Sequence, residues 1–112
     1  MNGQELTVAV YEQLPVIFIV LNDSSLGMVK HGQRLNGAEP IATEIPFTDF
    51  AAMARAMGAQ AHVINSPEDL RSLDGSAISK ASGPTLLDVR LDTEAVPPIG
   101  MRINTLKRRG AV

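Results

Sequence analysis

Six consecutive apolar residues, Val16-Ile17-Phe18-Ile19-Val20-Leu21, constrain this chain more than any other feature in it. The run is rich in β-branched side chains and shows no polar alternation, the pattern of a strand covered on both faces. Such strands occur where crossover helices lie on both sides of a parallel sheet, so the run predicts a central parallel strand. It falls far short of the roughly 20 residues that span a bilayer, so no membrane partner is expected.

The flanking segments supply the helices such a sheet needs. Residues 4–14 place Leu6, Val10 and Leu14 on one helical stripe that Pro15 closes. Met1-Asn2-Gly3 leaves almost no lead-in, which reads as truncation at the amino end. Residues 26–35 predict a short helix and residues 36–46, with Gly37, Pro40 and Pro46, a loop. Thr48 is the expected cap of a helix whose Phe50, Met53, Ala54 and Met57 share a face, and Gly58 its left-handed stop. Residues 60–64 predict a short strand. Ser66-Pro67-Glu68-Asp69 then combines a cap, a proline at the first helical position and a capping-box acid. Leu70, Leu73, Ala77 and Ile78 form the expected inner face, with a break available at Asp74-Gly75, before Gly83-Pro84 and a last strand over residues 85–91.

Strands alternating with helices imply the α/β class, with parallel pairing through right-handed crossovers. The 112 residues suit one domain, expected over 1–95, followed by a tail over 96–112. That tail carries Pro97-Pro98 and the basic Arg102, Lys107, Arg108 and Arg109, and reads as solvated or as docking a partner. Ten basic against twelve acidic residues give a net charge of -2, which argues against nucleic acid as a partner. The absence of cysteine removes disulfides and thiolate chemistry, and with no basic leader it fits a cytoplasmic location.

In open parallel sheets ligands gather at the carboxyl ends of strands, which here directs attention to Asn22-Asp23-Ser24-Ser25-Leu26-Gly27-Met28. This turn offers a carboxylate, an amide, hydroxyls and backbone carbonyls, hard oxygens that suit magnesium rather than zinc. Gly27 allows backbone to approach a ligand. An ordinary strand-ending turn has the same composition, so composition leaves both readings open. Glu5 and Glu12 read as surface acids, His31 as a solvated loop histidine or, alternatively, one that tunes a proton transfer, His62 as a packing residue, and Met53 and Met57 as core.

Order along the chain adds to this. Asn2-Gly3-Gln4-Glu5-Leu6, the following helix, and Leu14-Pro15 through Met28-Val29 closely resemble the second half of the thiamine-diphosphate motif in acetolactate synthase-like enzymes. The similarity continues through residues 50–59, 66–70 and 83–89 and covers essentially the whole chain. The resemblance implies a three-layer parallel-sheet domain, the carboxyl-terminal cofactor domain of that family, truncated at its amino end and lacking the Gly-Asp-Gly half of the motif.

The resemblance further implies a magnesium ion and thiamine diphosphate in the intact enzyme. Asp23 would be the side-chain ligand and Ser25 would bind the metal through its backbone carbonyl. Asn22 would shape the turn, and Leu26, Gly27 and Met28 would line the diphosphate and substrate side. The family decarboxylates and joins 2-oxo acids with a glutamate from a separate amino-terminal domain. No residue of this chain matches that glutamate, so no catalytic residue is assigned. Gly32 stands where many acetolactate synthases carry a bulky aromatic. The expectation is a fragment, inactive alone, that forms a homo-oligomer or joins the missing amino-terminal domains. The alternatives are a small autonomous α/β binding module and an inactive structural remnant that self-associates.

Overall fold

The computed structural model describes residues 3–96. Eight elements run in the order α1 (Gln4–Tyr11), β1 (Ile17–Asn22), α2 (Gly27–Leu35), α3 (Phe50–Ala56), β2 (Gln60–Ile64), α4 (Pro67–Ser72), α5 (Gly75–Ser79) and β3 (Thr85–Arg90). The strands form one sheet in the order β1-β3-β2, and both pairings are parallel. The α/β class therefore stands. The basic residues of the tail, Arg102, Lys107, Arg108 and Arg109, lie outside the described residues.

The expectation of a central, doubly covered β1 is corrected: β3 takes the middle. Thr85, Leu86, Leu87 and Asp88 of β3 are all buried, whereas burial along β1 alternates. Phe18 and Val20 pack against the core, while Ile17, Ile19 and Leu21 on the opposite face are 50%, 62% and 66% exposed. Among the described residues β1 has a neighbour on one side only. Apolar character on both sides of a strand records what it can bury, and only neighbours decide what it does bury.

The core lies on the face shared by Phe18 and Leu86. Leu6, Ala54, Ala59 and Leu86 cluster there, with Val10, Phe18, Val20, Phe50, Met57 and Ala61 packed around them. α3 lies against β2 and β3. Ala51 and Ala54 are wholly buried at that contact, and their small side chains let the helix come close to the sheet. On the other face α4 packs against β2, and Ile78 of α5 is buried.

Local signals explain most element ends. Gly58 has φ +93°, the left-handed stop expected after α3, and a Cβ there would lie 3.1 Å from Val10 Cγ1. The cap of α3 is corrected from Thr48 to Asp49, whose Oδ1 accepts from Ala52 N at 2.8 Å. A carboxylate next to the helix also complements its positive end, which a threonine hydroxyl does not. Ser66 and Asp69 form the expected reciprocal capping box. The helix it starts ends at Ser72, because Asp74 Oδ1 accepts from both Ser76 N and Ala77 N and so begins α5. Of the expected inner face only Ile78 is buried; Leu70 is 54% exposed. α1 stops at Tyr11, ahead of Pro15, where Gln13 turns the chain at φ +52° and leaves Leu14 outside the buried stripe.

Candidate functional site

β1 carries Asn22 to the carboxyl end of the sheet, in register with Arg90 of β3. Asn22 is buried, and its Nδ2 donates to Thr48 O at 2.9 Å and to Asp88 Oδ1 at 3.0 Å. The chain then turns sharply. Asp23 Oδ1 accepts from Ser25 N at 3.2 Å, the side-chain-to-backbone bond that makes Asp a turn residue. Ser24 sits at φ +49°, a left-handed conformation that costs a non-glycine residue roughly 1–2 kcal/mol. Residues 43–45 hold that turn in place. Ser25 Oγ donates to Thr43 O at 3.0 Å, Leu26 N to the same carbonyl at 2.7 Å, and Ile45 N to Ser24 O at 3.1 Å.

The turn runs directly into α2, whose start no side chain caps. Unpaired amides at a helix start carry partial positive charge and suit an anion. A Cβ built on Gly27 would lie 2.6 Å from Asp23 Oδ2, so the aspartate carboxylate occupies the space that a side chain at position 27 needs. Leu26 and Met28 flank this point and are exposed, at 47% and 71%. The structure thus brings Asn22, Asp23, Ser25, Leu26, Gly27 and Met28 together at one corner. The Asn22 side-chain nitrogen and the Ser25 hydroxyl are engaged internally, and the half-buried Asp23 carboxylate remains beside Gly27.

Sequence reasoning missed the charged groups that brace this corner. Lys30 of α2 is buried, and its Nζ reaches Glu44 Oε1 at 2.9 Å and Glu94 Oε1 at 2.7 Å. Arg34 pairs with the other oxygen of Glu94. Hydrogen bonds from Arg34 and Lys30 hold the Glu94 carboxyl at about 2, well below its ordinary 4.5. Glu44 and Glu94 in turn raise Lys30 above its usual value. These contacts tie α2 to the 41–45 segment and to the chain beyond β3, over separations of 14 and 64 residues that no local motif announces. The reading of His31 as a solvated loop residue is corrected: it lies on α2 and is 3% exposed, because the helix turns that side inward together with Lys30.

A second group sits behind Asn22. Asp88 is wholly buried, with Arg90 Nε 3.7 Å from its Oδ2. The Arg90 guanidinium lies over the Phe47 ring at 4.9 Å and 3.7 Å from Asp49 Oδ2. Asp88 had one legible signal, a lone acid within the apolar run of β3. Among the described residues no three His, Asp or Glu side chains gather as a metal-binding group, and no helix is long and apolar enough to cross a membrane.

Residues 1–89 match the family described as thiamine pyrophosphate enzyme, C-terminal TPP binding domain. The chain belongs to that family. It is 34% identical over 105 residues to the acetolactate synthase large subunit of Haemophilus influenzae, covering 91% of this chain and 18% of that protein. A Bacillus subtilis protein described as thiamine pyrophosphate-containing is 29% identical over 107 residues, covering 96% of this chain and 18% of its own length. In structure the chain is similar to the benzoylformate decarboxylase of Polynucleobacter necessarius, with a TM-score of 0.71 over 84% of this chain and 18% of that one. At 20% identity that likeness shows the fold alone. The chain spans less than a fifth of the length of these relatives.

Proposed function

We propose that the corner at residues 22–28 is the cation- and diphosphate-facing half of a cofactor site in an enzyme acting on 2-oxo acids. The observation that carries this reading is the Asp23 carboxylate lying across Gly27, 2.6 Å from where a Cβ would stand. A glycine there keeps a hard, charged oxygen at the open start of α2, where a divalent cation and a diphosphate neutralise each other. Asp23 serves as the side-chain ligand to magnesium and Ser25 as the backbone-carbonyl ligand. Asn22 shapes the turn. The amides at the start of α2 face the diphosphate, with Leu26, Gly27 and Met28 lining it. Thiamine diphosphate, when bound, supplies the nucleophilic carbon and electron sink for cleaving the bond beside a carbonyl. The residues of this chain hold and orient; none of them is assigned a proton transfer.

We further infer that this chain works as part of a larger cytoplasmic assembly and is inactive alone. The open edge and exposed face of β1 support this. Beside them a groove of about 430 Å³ runs between α1, α3 and β1, lined by Leu6, Phe18, Val20 and Met53. A second copy or the amino-terminal part of the enzyme completes the sheet there.

Nuclear magnetic resonance of the chain tests the site. Added magnesium with thiamine diphosphate shifts the backbone signals of Asp23, Ser25 and Gly27, and manganese in place of magnesium broadens the same signals first. If those signals stay unmoved while distant surface residues respond, the reading fails. Sedimentation of the chain, alone and with the amino-terminal part of a related enzyme, tests the assembly.

A further inference from the structure

We infer that Asp88 is a positioning residue for this corner: it locks the Asn22 amide so that its oxygen, rather than its nitrogen, is left to the ligand. The inference rests on the cofactor reading of the corner and assigns a role to a residue on a different strand, 66 positions away.

Asp88 is wholly buried in the middle strand of the sheet. A carboxylate with 0% exposure has given up its water and must have its oxygens satisfied by the protein, a cost that an apolar side chain of similar size avoids. Here only half of the carboxylate is satisfied. Oδ1 accepts from Asn22, whereas among the described residues Oδ2 has no hydrogen-bond partner, and neither has Arg90 Nε 3.7 Å away. As a device for stability the arrangement is poor, which directs attention to the one bond it does make.

An asparagine side chain has two N–H donors on one atom and an acceptor oxygen on the other. Thr48 O at 2.9 Å and Asp88 Oδ1 at 3.0 Å supply two acceptors for the two hydrogens of Asn22 Nδ2. A backbone carbonyl can only accept, so the amide cannot turn over without facing oxygen with oxygen. The Asn22 oxygen accepts from no group among the described residues, whose bonds to this side chain all go to its nitrogen. One residue before Asp23 at the end of β1, it is the hard oxygen that the lock leaves to the ligand.

The surrounding residues make the lock rigid. Asp49 caps α3 through Oδ1 and faces Arg90 through Oδ2, and Arg90, stacked on Phe47, brings the nearest positive charge to Asp88. The start of α3, the end of β1 and the end of β3 thus meet at the Asn22 amide. Anchoring that amide at two points fixes its plane, which one hydrogen bond to Thr48 does not.

The test reads the side-chain amide signals of Asn22 in the full 12.0 kDa chain labelled with nitrogen-15, identified by their loss in Asn22→Ser. Both protons are expected to exchange with water at least about tenfold more slowly than those of the exposed Asn36 and Asn65. Asp88→Leu frees one proton to exchange at the exposed rate. It also raises by about tenfold the concentration of thiamine diphosphate with manganese needed to broaden Ser25 and Gly27. Asp88→Asn, which keeps an acceptor oxygen, holds both protons slow. Fast exchange in the unaltered chain overturns the inference without any variant, even if Asp88→Leu fails to fold. An unchanged Asn22 in folded Asp88→Leu, or Asp88→Asn behaving like Asp88→Leu, also overturns it. Slow Asn22 protons in a chain whose Ser25 and Gly27 ignore manganese and thiamine diphosphate refute the cofactor reading instead and leave the lock standing.

Discussion

β1 and β3 are both six-residue strands, paired in register along their whole length, yet they end in opposite situations. Among the described residues β3 is flanked on both sides and its first four residues are buried; β1 is flanked on one, and Ile17, Ile19 and Leu21 face outward. Composition points the other way, since five of the six residues of β1 are apolar and only three of the six of β3. Position in the sheet separates them, and with it comes a division of labour: β3 carries the core, while β1 carries the corner and an uncovered surface.

That contrast can be broken by mutation. Leu86→Ala removes a core side chain from β3 and is expected to cost about 2–5 kcal/mol in urea unfolding. The matching Ile19→Ala on β1 is expected to cost no more than about 0.5 kcal/mol in the isolated chain. Equal losses mean that the open face is covered in solution. Asp49→Ala is expected to destabilise the helix roofing β3 by about 1 kcal/mol, with Thr48→Ala close to neutral. Gly27→Ala leaves unfolding within about 0.5 kcal/mol, because the new methyl displaces only the end of Asp23. It should nevertheless abolish the response of Ser25 to magnesium with thiamine diphosphate, separating the corner from the core.

The smallest effect concerns the exposed clasp of Glu94 with Arg34 and Lys30. A carboxyl lowered from 4.5 to about 2 stabilises the fold fully above pH 4.5, and the contribution disappears as pH falls through 2. The difference in unfolding midpoint between the unaltered chain and Glu94→Gln should therefore shrink across that window. Salt should reduce it at neutral pH, since Glu94 is half exposed.

Much of the fold was legible because its signals are local. The Ser66-Asp69 capping box, the Gly58 stop and the apolar strands each need only a few neighbouring residues to be read. The position of β1 was not legible, because strand order depends on which segments lie alongside. Thr48 and Asp49 differ by one position, and the geometry of the turn selected between two competent caps. At the corner, the order Asn22-Asp23-Ser24-Ser25-Leu26-Gly27 marked a turn that the structure places at the end of β1. Its bracing by Thr43, Glu44, Asp88 and Glu94 joins parts of the chain far apart in sequence, and no spacing rule encodes such contacts.

The parallel topology also sets an order of assembly. β2 and β3 begin 25 residues apart, whereas Ile17 must wait for Thr85. Closing the larger loop costs more entropy, and β1 has no described strand partner nearer in sequence. Among the described strands β1 therefore stays unpaired until β3 is in place, and the polar corner takes shape late when this chain refolds. Until then its apolar outer face is a surface that refolding must keep from other chains.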